Sequence, residues 1–162
     1  MKVVIVGGVA GGASAAARLR RLDEDAELVI LERTGYVSYA NCGLPYYVGG
    51  TIKDKAKLTL QTPGSFSSRF DVDVRVRSEV VSIDRSARKV IVRSTVDGSE
   101  YEEGYDKLIL SPGARPIIPD SVPMGDPRIM TMRTVEDALG MSRFIDDVHP
   151  AKAVVCGAGY IG

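Results

Sequence analysis

Short apolar runs flank a helical repeat at the beginning of the chain. Residues 3–6 form a β-branched run that stops at two glycines, and apolar residues then recur at helical spacing over residues 13–22. A second apolar run at residues 27–31 completes a strand-helix-strand unit of about 30 residues, the kind found in parallel sheets. This pattern predicts an α/β fold.

The rest of the chain predicts a meander, two helices and a linker. Thr62 and Pro63 are expected to cap and open a helix that runs to Phe70. Three strand-like runs separated by turn residues follow and indicate an antiparallel meander; they are residues 79–83, 89–94 and 101–105. Beyond them we predict a strand at 107–110, a proline-rich linker at 115–128, a helix from N-cap Thr134 to the residue before His149, and a strand at 153–156.

Composition narrows the class of protein. Of 162 residues, 44% are hydrophobic and 26% are charged, which is typical of a globular domain. Basic and acidic residues number 21 each, so no net charge attracts nucleic acid or an anionic membrane. The apolar stretch at residues 3–17 is shorter than the roughly 20 residues that span a bilayer. We therefore expect a cytoplasmic protein with neither nucleic acid nor membrane as partner.

Glycines after the first predicted strand partly match a dinucleotide-binding turn. Gly7 and Gly12 hold the first and third positions of G-x-G-x-x-G, but Val9 holds the second. Glu32 follows about 20 residues later, where a carboxylate can accept hydrogen bonds from a ribose; the alternative is a solvated carboxylate at a strand end. A complete motif recurs at Gly157, Gly159 and Gly162. Two such motifs suggest two dinucleotides, and enzymes that combine two usually transfer hydride from a nicotinamide to a flavin.

Cys42 lies in a loop that is predicted to lead into a helix, and such a position favours the reactive thiolate. The alternative is a buried structural cysteine. Because no second cysteine is close in sequence, its redox partner must be external or the thiol must form a sulfenic acid. Cys156 ends a predicted buried strand and is expected to pack there, and His149 is expected to meet the last carbonyls of a helix. Two cysteines are too few for a zinc site, and we expect no metal.

A polar and basic stripe runs along the first predicted helix. Ser14, Arg18 and Arg21 follow i, i+4, i+7 spacing, opposite a predicted apolar face that includes Leu19 and Leu22. Such a stripe is either a solvated surface or a binding site for a phosphate-bearing substrate.

Together these motifs resemble the N-terminal part of the flavin-dependent pyridine nucleotide-disulfide reductases that use a single cysteine. Within that family, the pattern is most similar to coenzyme A disulfide reductases and the related NADH-dependent persulfide reductases. The matching segments are residues 7–12, 32–33, 38–46, 105–114 and 157–162. The resemblance implies an incomplete Rossmann-like FAD-binding domain at residues 1–115, a linker and helix at 116–150, and the first strand of an NAD(P)-binding domain at 151–162.

The resemblance also implies roles for individual residues. Cys42 would lie beside the flavin and form a mixed disulfide with the thiol substrate. Residues expected to bind FAD are Gly7, Val9, Ala10, Gly11, Gly12, Glu32, Arg33, Val80, Ser111, Pro112 and Gly113. Residues expected to bind NAD(P)H are Gly157, Gly159 and Gly162, and those expected to contact coenzyme A are Ser14, Arg18, Arg21, Ser38 and Asn41.

The expected activity is reduction of coenzyme A disulfide or coenzyme A persulfide by NAD(P)H through FAD and Cys42. Two alternatives stay open, an NADH oxidase or peroxidase that uses a cysteine sulfenic acid and a non-catalytic fragment that binds FAD or coenzyme A. The oxidase is disfavoured because Ala10 stands where peroxide-reducing members of the family typically have a histidine. We also expect these residues to belong to a longer, homodimeric polypeptide and to be inactive alone.

Overall fold

The computed structural model describes residues 1–157, in which a parallel sheet is covered by helices on one face and by a smaller antiparallel sheet on the other. The strands are β1 (Lys2–Val6), β2 (Glu27–Glu32), β3 (Asp73–Val76), β4 (Ser78–Asp84), β5 (Lys89–Ser94), β6 (Glu100–Gly104) and β7 (Lys107–Leu110). The α-helices are α1 (Ala10–Leu22), α2 (Leu44–Val48), α3 (Pro63–Phe70) and α4 (Val135–Val148). The parallel sheet has the order β3-β2-β1-β7, and the antiparallel meander has the order β4-β5-β6.

The apolar runs of β1 and β2 become the centre of the parallel sheet because both of its faces are buried. In the register of these strands Val4 pairs with Val29 and Ile5 with Ile30. Successive side chains of a strand point to opposite faces, so each strand supplies two cores. Ile5 and Ile30 pack with the helices, whereas Val4 and Val29 pack with the meander. The sequence-based prediction of an α/β fold with a three-stranded meander is confirmed.

A charged contact fastens the meander to the parallel sheet. Glu103 on β6 is only 8% exposed, and it accepts a hydrogen bond from Lys2 of β1 at 2.7 Å and another from Arg75 of β3. Burial raises the pKa of Glu103, but the hydrogen bonds and positive charges of Lys2 and Arg75 outweigh burial and leave that pKa below its ordinary value. This ionised carboxylate therefore joins three strands from two sheets.

The predicted helix ends are confirmed where capping residues marked them. Thr62 and Thr134 each accept a hydrogen bond from the backbone N–H three residues later, and both form capping boxes. His149 ends α4 in the left-handed conformation, and its N–H donates to the carbonyl of Ile145 at 3.0 Å. The structure therefore places His149 at the helix end, as predicted.

Two elements of the parallel layer differ from the prediction. Helix α1 begins at Ala10 rather than at residue 13, and its buried face consists of Gly12, Ala13 and Ala16, while Leu22 is 65% exposed. The sequence analysis missed β3 entirely. This strand lies at the edge of the sheet, and its alternating Asp73 and Arg75 side chains hide the apolar pattern that marks central strands.

The strand predicted over residues 153–156 is not formed. Val154 is 93% exposed, and Cys156 is exposed rather than packed in a core. A strand needs a hydrogen-bonding neighbour, and no strand within residues 1–157 pairs with this segment. The prediction that Cys156 packs in a buried strand is therefore wrong. Gly159 and Gly162 lie outside the described residues.

The helices of the described part of the chain are short or polar. None combines the length and apolar character needed to cross a membrane, and α4, at 14 residues, is the longest.

Candidate functional site

The strands of the parallel sheet end beside a pocket, here called the strand-end pocket. The carboxyl ends of parallel strands meet at one edge of a sheet, where α/β proteins commonly bind ligands. The pocket lies between the first turn of α1, the end of β2, the loop that contains Asn41, the segment after β7 and the residues just before α4. It is lined by Val9, Ala10, Gly11, Glu32, Arg33, Thr34, Tyr39, Asn41, Ser111, Pro112, Gly113, Ala114, Arg133 and Thr134.

Two glycines next to this pocket are required because backbone segments touch there. Gly7 has φ +95°, and a Cβ atom on it would lie 2.0 Å from the carbonyl oxygen of Ser111. A Cβ atom on Gly12 would lie 1.7 Å from the carbonyl oxygen of Gly7. Neither position can hold a side chain without moving β1, α1 or the segment after β7. The first and third motif positions are thus explained by close backbone contact.

The first turn of α1 offers unpaired backbone donors to the pocket. Its N-cap residue, Val9, makes no side-chain hydrogen bond to the helix, and the first turn holds no acidic residue. The first amides of a helix have no partner inside it, and the helix dipole makes this end positive. Because Ala10 and Gly11 line the pocket, this geometry fits the diphosphate of a dinucleotide.

Glu32 holds the turn at the end of β2. It is 5% exposed, and its two carboxylate oxygens accept hydrogen bonds from the N–H groups of Gly8 at 2.8 Å and Thr34 at 2.9 Å. The alternative of a freely solvated carboxylate is therefore wrong. Each carboxylate oxygen can accept a further hydrogen bond, so Glu32 can still bind a ribose hydroxyl group.

Arg133 is a pocket residue that the sequence analysis missed. Its guanidinium donates to the carbonyl of Ala114 at 3.2 Å and to Oδ1 of Asn41 at 3.1 Å. Its backbone N–H donates to Asp137, so the capping box of α4 also fixes Arg133. These two guanidinium partners lie 19 and 92 residues away along the chain. No spacing rule connects them, and only the capping signal at Thr134 marks the neighbourhood.

The loop that carries Cys42 is held by backbone contacts. Cys42 lies in a one-turn 3-10 helix, Asn41–Gly43, that leads into α2, as predicted. The Ser38 N–H donates to the carbonyl oxygen of Gly8 at 2.9 Å, and the Ala40 N–H donates to the carbonyl oxygen of Leu58 at 2.8 Å. The thiol itself is exposed. The alternative of a buried structural cysteine is therefore wrong, and an exposed thiol follows directly after Asn41, which lines the strand-end pocket.

The structure brings eight of the eleven residues expected to bind FAD to the pocket, together with Asn41, but Gly7, Gly12, Ser38 and Cys42 are not among the residues that line it. Those that line it are Val9, Ala10, Gly11, Glu32, Arg33, Asn41, Ser111, Pro112 and Gly113. Val80 does not, because its side chain packs into the core between the two sheets. Ser14, Arg18 and Arg21 form an exposed stripe on α1, and Gly157 lies in an irregular segment.

The described part of the chain holds no candidate metal site. No three histidine, cysteine, aspartate or glutamate side chains of residues 1–157 are grouped so that they could hold an ion.

Known proteins share the sequence pattern and the fold of this chain. The sequence pattern of the pyridine nucleotide-disulphide oxidoreductase family matches residues 1–162. A coenzyme A disulfide reductase of Staphylococcus haemolyticus is 40% identical over 160 residues, which are 99% of this chain and 36% of that protein. This chain therefore spans about a third of the length of that relative.

Solved structures show the same fold. A NAD-dependent persulfide reductase from A. fulgidus is 34% identical with a TM-score of 0.84, over 91% of this chain and 28% of that one. A water-forming NADH oxidase from Lactobacillus brevis, bound to NADH, is 30% identical with a TM-score of 0.88, over 99% of this chain and 35% of that one.

Proposed function

Because this chain belongs to the pyridine nucleotide-disulphide oxidoreductase family, we propose that it binds FAD in the strand-end pocket and reduces coenzyme A disulfide or coenzyme A persulfide through Cys42. The observation that carries this proposal is that an exposed cysteine directly follows a pocket residue in the chain. Asn41 lines the pocket and is held there by Arg133, and the next residue is an exposed thiol. A thiol that directly follows a residue lining a dinucleotide pocket can react with a substrate on one side and exchange electrons with a cofactor on the other.

The pocket residues divide the work of holding FAD. The free amides in the first turn of α1 bind the diphosphate, and Glu32 accepts hydrogen bonds from the adenosine ribose. The segment Ser111–Gly113 and the guanidinium of Arg133 close the opposite wall. When held by these residues, FAD would supply hydride and electron-transfer chemistry between NAD(P)H and the thiol site.

Cys42 acts as the nucleophile toward the substrate. Its thiolate attacks one sulfur of coenzyme A disulfide, forms a mixed disulfide with one coenzyme A and releases the other as a thiolate. The two electrons from NAD(P)H then break the mixed disulfide, which returns the Cys42 thiolate and releases the second coenzyme A. With a persulfide, the same attack on the outer sulfur releases coenzyme A as a thiolate and leaves a Cys42 persulfide. Two electrons from NAD(P)H then break its S–S bond, which returns the Cys42 thiolate and releases hydrogen sulfide.

The α1 stripe supports an anionic substrate. Ser14, Arg18 and Arg21 are all exposed, and we assign them, with Ser38 and Asn41, to contacts with coenzyme A. Guanidinium groups suit its phosphates because they donate several hydrogen bonds to one anion.

Oxygen or peroxide reduction is the second candidate, favoured by the similarity to the water-forming NADH oxidase. Ala10 weakens it. This residue is exposed at the strand-end pocket and offers no group that could donate a proton to a departing oxygen. Thiol exchange needs no such donor at this position.

The wider organisation follows from the same family. We assign residues 1–115 to the FAD-binding part, residues 116–150 to the connection, and residues 151–162 to the start of the NAD(P)H-binding part. Gly157, Gly159 and Gly162 would then contact NAD(P)H. We further propose a cytoplasmic homodimer.

Electron acceptors can be compared directly in the full-length protein. We expect NAD(P)H oxidation with coenzyme A disulfide or persulfide to exceed, by at least about tenfold in kcat/KM, the oxidation with oxygen, hydrogen peroxide or glutathione disulfide. Glutathione disulfide is the matched control, since it offers the same bond without the coenzyme A phosphates. Faster turnover with oxygen or peroxide would replace the proposed function by the oxidase or peroxidase.

A further inference from the structure

Tyr39 is buried in the wall of the strand-end pocket although no nucleotide-binding motif includes it. The residue is 7% exposed. Its ring packs in a cluster with Leu44, Leu58 and Val135, and its backbone bridges to Thr59. These contacts hold the ring in one place, so its hydroxyl group has a defined position.

The hydroxyl of Tyr39 has no protein partner within residues 1–157. The ring packs in an apolar cluster that does not use the hydroxyl, so phenylalanine would fit the same place. The hydroxyl is not enclosed by the protein, because the one fully buried side-chain oxygen without a partner among residues 1–157 belongs to Glu136. It is therefore open to the pocket, where a ligand can accept its proton. Because Tyr39 lines the pocket, the missing partner belongs to whatever the pocket binds.

Charges around Tyr39 define what that partner must be. Burial raises the pKa of its hydroxyl, as do the carboxylates of Glu32, Glu136 and Asp137, whereas the Arg133 guanidinium lowers it, and the net pKa is above the ordinary value. At neutral pH the hydroxyl is therefore a proton donor. Tyr39 and Arg133 both offer hydrogen-bond donors to the pocket, and such donors favour a ligand with acceptor oxygens.

We propose that Tyr39 is a further cofactor-binding residue, whose hydroxyl donates a hydrogen bond to an acceptor oxygen of the dinucleotide in the strand-end pocket. This inference rests on the proposed function, which identifies the ligand as FAD. The acceptor is a diphosphate oxygen or an oxygen on the flavin side of the molecule, and the two sources share the same chemistry.

The test is the variant Tyr39→Phe, which removes the hydroxyl and keeps the ring. FAD is removed from the full-length protein and its rebinding is titrated by flavin fluorescence, with ADP as a second ligand that has the diphosphate but no flavin. We expect the Kd for FAD to rise between about fivefold and fiftyfold. An equal loss for ADP supports a bond to the diphosphate, and a loss for FAD alone supports a bond on the flavin side.

Stability without ligand provides the second readout. Because the hydroxyl has no protein partner, Tyr39→Phe should leave the melting temperature of the flavin-free protein unchanged or higher, while FAD should raise that temperature less than in the wild type. Tyr105→Phe is the matched control, since Tyr105 packs with the meander-side core and should leave FAD binding unchanged.

The result that overturns the inference is an FAD Kd less than fivefold above the wild-type value. A lower melting temperature of the flavin-free variant with unchanged FAD affinity would also overturn it, because the hydroxyl would then serve the fold. If the wild-type protein bound no FAD, the proposed function itself would fail. If the wild type bound FAD and Tyr39→Phe bound it equally well, only the inference about Tyr39 would fail.

Discussion

Replacing Cys42 with serine should abolish the reduction of coenzyme A disulfide and leave FAD bound. A serine hydroxyl is a far weaker nucleophile than a thiolate and cannot form a mixed disulfide. The side chain is exposed, and substitutions at exposed positions usually change stability little. We expect kcat/KM for coenzyme A disulfide to fall by at least roughly a thousandfold, measured as NAD(P)H oxidation beside the flavin absorbance spectrum.

The second cysteine supplies the control for this experiment. Cys156 is also exposed, and the proposed chemistry gives it no role, so Cys156→Ser should keep wild-type turnover. If Cys42→Ser retained more than a tenth of the wild-type activity, the reacting group would have to be something other than this thiol.

Replacing Gly12 with alanine should disrupt both the fold and FAD binding. The new Cβ atom would lie 1.7 Å from the carbonyl oxygen of Gly7, well inside van der Waals contact and against backbone that cannot rotate away. Helix α1 would have to move off β1, which displaces the amides assigned to the diphosphate. We expect a loss of about 3 kcal/mol in the free energy of unfolding, measured by urea denaturation, and a large loss of flavin affinity.

A helical glycine with free space around it provides the matched control. Gly140 lies inside α4, and a Cβ atom there would meet nothing within 4 Å. Gly140→Ala should therefore raise stability by about 0.5–1 kcal/mol, since alanine favours the helix. Equal stability and equal flavin affinity for Gly12→Ala and the wild type would show that the tight turn is not required.

The sequence predicts those parts of the fold that depend on local signals. Continuous apolar runs identify the central strands β1 and β2, and the Thr62 and Thr134 caps locate α3 and α4. Gly7 and Glu32 could be selected because their spacing reflects the geometry of one strand-helix-strand unit. The hydrogen bond from the N–H of Gly8, next to Gly7, to the Glu32 carboxylate brings the two positions together.

Other features depend on contacts between distant segments and could not be read locally. The charged strand β3 forms only because β2 lies beside it, and Arg133 reaches Asn41 across 92 residues. Conversely, residues 153–156 are apolar enough for a strand but have no pairing neighbour within the described residues. Tyr39 shows the same limit, since an aromatic residue in a loop gives no sign that it lines a pocket.

The central claim is that Cys42 exchanges directly with a coenzyme A substrate, and peptide mass spectrometry tests it most directly. The Cys156→Ser protein would be incubated with coenzyme A disulfide in the absence of NAD(P)H, digested and mapped. We predict one coenzyme A attached by a disulfide to the peptide that contains Cys42, and its release when NAD(P)H is added before digestion. An unmodified Cys42 in a protein that still reduces coenzyme A disulfide would contradict the claim.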